Sequence, residues 1–307
     1  MNEVSTVSLV GLGNIGIGYD SLGGKLLGTA KSHLGALIAI PNLEIVYGVD
    51  IKMNSAFLNS HTLSYELLLY DKFSSSELNY DLLVLATPTS THLNIVNSLI
   101  RKHYFRSIIL EKPCGSNLAE CKTILDLLEA KSISWQVNYF RSALPNTQQA
   151  LKKIHDMKIY PSKAIINGYG DLLNIFSHFL HLMMLFVDQD CLIVDEFDFN
   201  SDQISIRFES GFEVELHNIG GAKKDLPILS LIFDSYHLVF SGNGQIIELV
   251  HTETKTVVDA FILQTLDRYQ ELATKEYLGM FARRLSGNRR SVEKVHEIIS
   301  AVNFQSV

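Results

Sequence analysis

A glutamate and a lysine, Glu111 and Lys112, close an apolar run in SIILEKPCGSN (107–117). Ile108, Ile109 and Leu110 read as a short buried strand of a parallel sheet. Pro113 ends the strand, because it has no N–H to give to the ladder. A lysine held there loses part of its hydration, which disfavours its charged form. A second constellation lies in VGLGNIG (10–16), where Gly11, Gly13 and Gly16 form G-x-G-x-x-G directly after an apolar strand. Gly11 makes the tight turn, and Gly13 lets a pyrophosphate approach the backbone. Gly16 allows the following helix to pack closely, and its first turn, through Asn14 and Ile15, faces the phosphates. Asp50 closes the next strand, LEIVYGVD (43–50). It is placed to accept hydrogen bonds from an adenosine ribose and to repel a 2′-phosphate, which favours NAD. Lys52 softens that preference and keeps NADP as the alternative. A structural glycine turn that holds no nucleotide is the weaker alternative.

A third group is Asn174, His178 and His181 in GDLLNIFSHFLH (170–181). Their spacing of i, i+4 and i+7 predicts one face of a helix. Histidines there suit proton transfer. Metal ligation is the weaker reading, since no carboxylate or cysteine completes a set nearby, and buried core histidines are a further alternative.

Strands must position these groups. TVSLVG (6–11), LEIVYGVD, DLLVLA (81–86), SIIL and WQVNYF (135–140) alternate with helical stretches at 32–40, 53–59, 92–102 and 117–131. That rhythm predicts an α/β fold opening on a doubly wound parallel sheet, residues 1–140. Beyond it, in residues 141–307, helices at 146–157 and 171–187 flank the strand KAIINGY (163–169). Short strands from CLIVDEF (191–197) to QIIELVH (245–251) and helices at 259–285 and 291–303 follow, an α+β domain with a large open antiparallel sheet. Gly16 and Asp50 are 34 apart, where about 20 is usual. The surplus falls in residues 17–33 and predicts a loop near the active site, with Lys25 or Lys31 as contacts for an anionic group.

The whole chain of 307 residues has a formal net charge of −7 and is 47% hydrophobic, so it lacks the basic field that holds nucleic acid. Its most apolar segment (172–187) is too short to span a bilayer and carries two histidines. The N-terminus lacks the layout of a signal peptide, and the three cysteines form no CxxC pair. A cytoplasmic protein with free thiols is the expectation.

VGLGNIG, GVD, ATPTSTH (86–92), EKP, NYFR (138–141) and GDLLNIFSHFLH, in this order, resemble the glucose–fructose oxidoreductase, inositol dehydrogenase and MocA (Gfo/Idh/MocA) family over nearly the whole chain. The resemblance implies a Rossmann domain, then an α+β domain that binds substrate and packs into homo-oligomers through its open sheet. It implies an NAD(P)-dependent oxidoreductase acting on a sugar or nucleotide-linked sugar. Lys112 would bond the reacting oxygen and move its proton, with His178 as partner. Glu111, Thr87, Pro88, Thr89 and His92 would border the cofactor, and Tyr139, Arg141, Asn174 and His181 the substrate. His92 is alternatively only the start of its helix. Members commonly carry D-x-x-x-H-x-x-D where this chain has Asn174 and His181 in place of the acids. Asparagine orients an oxygen but takes no proton, which leaves a non-catalytic cofactor-binding sensor as the alternative.

Overall fold

The computed structural model describes residues 5–22, 25–26, 28–52, 66–187, 192–199, 203–219, 226–264 and 267–305. The helix expected at 53–59 and Cys191 lie outside them. The chain forms two compact units, Met1–Phe140 with Leu266–Arg289, and Arg141–Thr265 with Arg290–Val307. Residues 266–289 therefore belong with the first unit and not with the rest of 141–307.

In the first unit β1 (Ser5–Val10), β4 (Leu43–Asp50), β5 (Glu66–Leu69), β6 (Leu82–Leu85), β7 (Ser107–Leu110) and β8 (Ser134–Val137) form one parallel sheet of order β5-β4-β1-β6-β7-β8. This is the doubly wound order, with the strand sequence reversing between β1 and β6. Val10 pairs with Val49 on one side and Leu85 on the other, so Gly11 emerges at that reversal. β6 and β7 are buried throughout their apolar runs, as strands covered on both faces must be. β5, the run ELLL, was not expected from the sequence; it pairs with β4 from Tyr47 to Asp50. Helices α1 (His33–Ala39), α2 (Tyr70–Ser75), α3 (His92–Leu99) and α4 (Leu118–Ala130) connect the strands. Asn117 caps α4 by accepting from the Glu120 amide, and Glu120 returns a bond to the Ser116 amide.

The surplus of residues 17–33 is an insertion within the Rossmann helix. The chain begins a helical turn at the glycine motif, with Ile17 N bonded to Gly13 O and Tyr19 N to Asn14 O. It then leaves through the small hairpin of β2 (Ser21–Leu22) and β3 (Lys25–Leu26). It returns at α1, whose His33 N and Leu34 N bond to Ile15 O and Gly16 O, each at 2.9 Å. These pairs are 18 apart in sequence where a continuous helix needs 4, so the ladder skips 14 residues. The surplus of 34 over about 20 between Gly16 and Asp50 is the same 14. Buried Asp20 stitches the splice closed: it accepts from Lys31 N (2.9 Å), Ser32 N (2.6 Å), Ser32 Oγ (2.5 Å) and the Thr29 hydroxyl. Ser32 also caps α1. Helix α7 (Tyr269–Ala282) secures the return, since Ala30 N bonds Asp267 O and Gln270 N bonds Ala30 O. Lys31 finds its anion within the chain, at Asp267 Oδ1, 2.6 Å away.

The second unit carries β9 (Lys163–Asn167), β10 (Val194–Phe199), β11 (Gln203–Phe208), β12 (Glu213–His217), β13 (Ile228–Ile232), β14 (Tyr236–Ser241), β15 (Ile246–His251) and β16 (Val257–Ile262) in an eight-stranded sheet ordered β10-β11-β12-β9-β13-β14-β15-β16. It is mixed, because β9 runs parallel to β12 while the other pairs are antiparallel. The helix expected from 259 starts only at Tyr269; VVDAFI is β16, drawn into the sheet by its β-branched and aromatic residues and paired with β15. One face of the sheet packs against α5 (Pro145–Met157), α6 (Ser177–Met183) and the apolar stripe Val295, Ile298, Ile299 and Val302 of α8 (Arg289–Gln305). The other face carries Ile165, Ile232, Val239, Ile246 and Ile262, with Lys163, Glu213 and Arg207 in an ion-paired row beside them.

Candidate active site

At the strand reversal lies a cleft of about 490 Å³ lined by Gly11, Gly13, Asp50, Thr87 and Pro88. Gly11 has φ +97°, and a Cβ there would stand 2.4 Å from Ala86 O. A Cβ on Gly16 would stand 2.1 Å from Gly11 O, within the splice of helix onto turn. Gly13 differs, because its Cβ would meet nothing within 4 Å. Its bare backbone borders open cleft, the opening a dinucleotide pyrophosphate requires. Asp50 holds the turn to β4, accepting from Leu12 N and Ile51 N, each at 2.7 Å. A carboxylate with two such bonds keeps lone pairs for a ribose hydroxyl. The residues present therefore fit a dinucleotide, with Asn14 and Ile15 opening the helix that faces its phosphates.

Thr87 and Pro88 follow β6, and Thr91 Oγ1 ties them by bonds to Thr87 Oγ1 (2.9 Å) and Pro88 O (2.7 Å). Thr89 starts the next turn. His92 is fully buried, its ring nitrogens each 3.0 Å from a carbonyl, those of Cys114 and Thr87. Burial pushes its pKa down despite the two carbonyls, and a neutral ring donates to one of them at a time. His92 is thus an interior brace between the ATPTSTH and EKP segments.

Lys112 sits half-buried beyond β7, joined to Pro113 by a cis peptide bond. Its backbone N donates to Glu111 Oε2 at 3.3 Å. Glu111 Oε1 accepts from His33 Nε2 (2.8 Å) and from Asn138 Nδ2 (2.6 Å), and Asn138 also reaches Gln270. Burial alone would raise the Glu111 carboxyl, but the His33 and Asn138 bonds and the Lys112 charge hold it below the ordinary glutamate value. The carboxylate expected to line the nicotinamide side is thus engaged in the interior of the unit. Tyr139 lies there as well, 1% exposed, and burial near Cys114 and Cys121 pushes its hydroxyl pKa well up.

In the second unit Arg141 is 5% exposed; its Nη2 donates to Asn243 Oδ1, and the guanidinium carbon lies 4.9 Å from the centre of the Phe179 ring. The segment 171–187 is not one α-helix. Leu172–Phe176 forms a π-turn that becomes α6 at Ser177, whose hydroxyl bonds back to Leu173 O at 2.6 Å. Asn174 belongs to the π-turn and His178 to α6. His178 is 6% exposed on α6. His181 Nδ1 pairs with Ser142 Oγ at 2.8 Å, and burial pushes its pKa down to about 3. A neutral imidazole beside a hydroxyl can orient an oxygen or pass a proton along.

Sequence reasoning missed Asp20, His33 and Gln270. The only signal was the surplus spacing after Gly16, which places the Ser32-His33 start of α1 where the helix resumes. Among the described residues no group of His, Cys, Asp and Glu is arranged to hold a metal, and no helix is long and apolar enough to cross a membrane.

Residues 6–139 match the sequence model of the oxidoreductase family with an NAD-binding Rossmann fold, GFO_IDH_MocA. No curated protein sequence matches. Among solved structures the fold resembles UDP-N-acetylglucosamine 3-dehydrogenase GnnA from Acidithiobacillus ferrooxidans (TM-score 0.74, 12% identity, 98% of this chain and 97% of that one). It equally resembles KijD10, a 3-ketoreductase from Actinomadura kijaniata solved as a mutant with TDP-benzene and NADP (TM-score 0.75, 12% identity, 99% and 98%). A third likeness is a super-repressor mutant of Gal80p from Saccharomyces cerevisiae (TM-score 0.75, 13% identity, 98% and 95%). Residues 6–139, with the six-stranded sheet and glycine turn they build, match the Gfo/Idh/MocA family of oxidoreductases with an NAD-binding Rossmann fold.

Proposed function

We propose that the chain is a dehydrogenase or reductase that uses NAD, with NADP as the less favoured cofactor, on a secondary carbinol or ketone of a sugar or nucleotide-linked sugar. The observation that carries this is Lys112, half-buried at the carboxyl end of β7, in the same unit and sheet as the glycine cleft. Bound in that cleft, a nicotinamide supplies the hydride acceptor or donor. In the oxidative direction Lys112 Nζ, as the free amine, takes the carbinol proton while the carbon surrenders its hydride; in the reverse direction the ammonium returns it. His178 is the second proton carrier and Asn174 orients the substrate oxygen. Arg141 and the His181–Ser142 pair shape the substrate side, where polyhydroxyl groups meet fixed donors. The likeness to GnnA, a dehydrogenase of UDP-N-acetylglucosamine, and to KijD10, a 3-ketoreductase, supports a nucleotide-linked sugar as substrate; a role in polysaccharide biosynthesis is part of the same proposal. Homo-oligomerisation through the apolar half of the open sheet face, in a cytoplasmic protein, completes the reading.

A second reading has a specific support: Asn174 stands where members commonly have an acid, and the Gal80p likeness extends over 98% of this chain. On that reading the chain binds cofactor as a sensor and turns nothing over. Nicotinamide absorbance, followed with NAD and NADP against free and nucleotide-linked sugars, separates the two. Turnover lost in Lys112→Ala by about a hundredfold or more, with cofactor affinity kept, supports the enzyme. Cofactor binding without turnover across the panel supports the sensor, and failure to bind either cofactor overturns both.

A further inference from the structure

Glu111, His33, Gln270 and Asn138 close a ring in which every hydrogen has one place to go. Asn138 Nδ2 donates to Glu111 Oε1 (2.6 Å) and to Gln270 Oε1 (3.1 Å). Gln270 therefore turns Nε2 towards His33 Nδ1 (3.2 Å), which must accept. That choice makes His33 the Nε2–H tautomer, and its proton goes to Glu111 Oε1 (2.8 Å). All four side chains are buried. A proton on Nδ1 would face an N–H of Gln270. Flipping Gln270 would set its N–H groups against those of Asn138, and flipping Asn138 would set an oxygen against Glu111 Oε1. The arrangement with Nε2 donating and Nδ1 accepting is the one in which all the bonds hold.

The ring joins three separate parts of the first unit: the residue at which the 14-residue insertion rejoins the helix, the ends of β7 and β8, and α7. Its fourth corner, Glu111, uses its second oxygen to hold the backbone amide of Lys112. The ladder stops at this point, since Pro113 carries no N–H, so the carboxylate takes over the task of fixing the chain. The charged and titratable groups that face Glu111 are His33, Lys112, Tyr277 and His92.

We propose that His33 and Gln270 are positioning residues for Lys112: through the ring they fix the direction of the Glu111 carboxylate, which anchors the Lys112 backbone and sets the negative charge that its amine experiences. The inference rests on the acid–base role given to Lys112 above. A buried carboxylate that loses one of its donors turns its charge more fully on the nearest cation, and this keeps the ammonium protonated to higher pH.

The test reads Lys112 chemically, without turnover. Acetylation by acetic anhydride is followed across pH by peptide mass spectrometry, with exposed Lys131 as internal standard. In His33→Leu, Lys112 should react about threefold more slowly than in the wild type near pH 8, the effect of half a pKa unit. His33→Gln, whose amide still offers Glu111 an N–H, should restore the rate to within about twofold, a rescue that a space-filling role would not require. Gln270→Glu replaces the N–H donor facing His33 Nδ1 by a carboxylate that only accepts, and the Lys112 profile should shift with the broken ring. The proposal is overturned if the Lys112 profile is unchanged in His33→Leu, or if His33→Gln is as slow as His33→Leu. Should His33→Leu fail to fold, an unchanged profile in Gln270→Glu overturns it equally. Turnover that survives in Lys112→Ala would instead overturn the reaction reading and leave the ring's effect on the amine standing.

Discussion

Asp20→Asn tests whether the splice of the Rossmann helix depends on one buried carboxylate. Two backbone amides, Lys31 N and Ser32 N, point at different oxygens of Asp20, and two hydroxyls, of Thr29 and Ser32, reinforce them. An asparagine amide keeps one oxygen and replaces the other by an NH₂ group. A hydroxyl can rotate to accept from that NH₂, but a backbone N–H cannot. Whichever way the amide lies, one of the two backbone N–H groups is stranded in a site that is 0% exposed. A stranded buried donor costs about 1–3 kcal/mol, and the surviving bonds lose the charge that strengthened them, so the expected loss is about 3 kcal/mol. For a unit of this size that corresponds to a fall of about 6–12 °C in Tm. Calorimetry measures the total, and hydrogen exchange localises it: the Lys31 and Ser32 amides should exchange on the order of a hundredfold faster. A Tm within about 2 °C of the wild type, with both amides still protected, would refute the assignment of the splice to Asp20.

Glu111 makes a pH prediction whose sign follows from its lowered carboxyl. A group whose folded pKa is below its unfolded one stabilises the fold above the unfolded value, and the contribution is lost as pH falls through the folded one. The urea midpoint of the wild type should thus exceed that of Glu111→Gln at pH 7, with the gap closing below pH 4.5, the ordinary glutamate value; a gap that stays constant or widens in acid would contradict the ionised ring. Ile262→Glu places a charge on the exposed apolar edge of the open sheet, where Ile262 pairs with Ile246. Light scattering should show the oligomer of the wild type reduced to single chains; a wild type that is already a single chain removes that part of the proposal.

Patterns of short range made the strands, the glycine turn and the EKP corner readable. β6 and β7 are continuous apolar runs bounded by a turn and a proline, and Asp50 ends a strand at the place a ribose-binding acid should occupy. Longer-range choices were hidden. VVDAFI read as the start of a helix because nothing local shows that β15 has an edge to offer it. The π-turn at Leu172–Phe176 depends on how one hydroxyl, Ser177, bonds to a carbonyl, and a periodicity of 3.6 is blind to that. Tyr139 and His92 looked available because motif position says nothing about which way a side chain turns.

His33 is the most instructive of these cases. Its partners Glu111 and Gln270 lie 78 and 237 residues away, so no window of sequence contains the group. Yet one number in the sequence was already a structural observation. A spacing too long by 14 residues, between two motif positions that a fold holds at fixed separation, requires a point of departure and a point of return. The return needs a helix start, and Ser32 supplies the cap. The residue at the splice inherits the geometry of the first helical turn, against the ends of the parallel strands, where a histidine will meet whatever acid the neighbouring strand presents. In this sheet that acid is Glu111, one residue before Lys112, to which the proposed reaction gives the acid–base role. An insertion usually treated as surface decoration thereby sets the last side chain before its return against the carboxylate at the EKP corner.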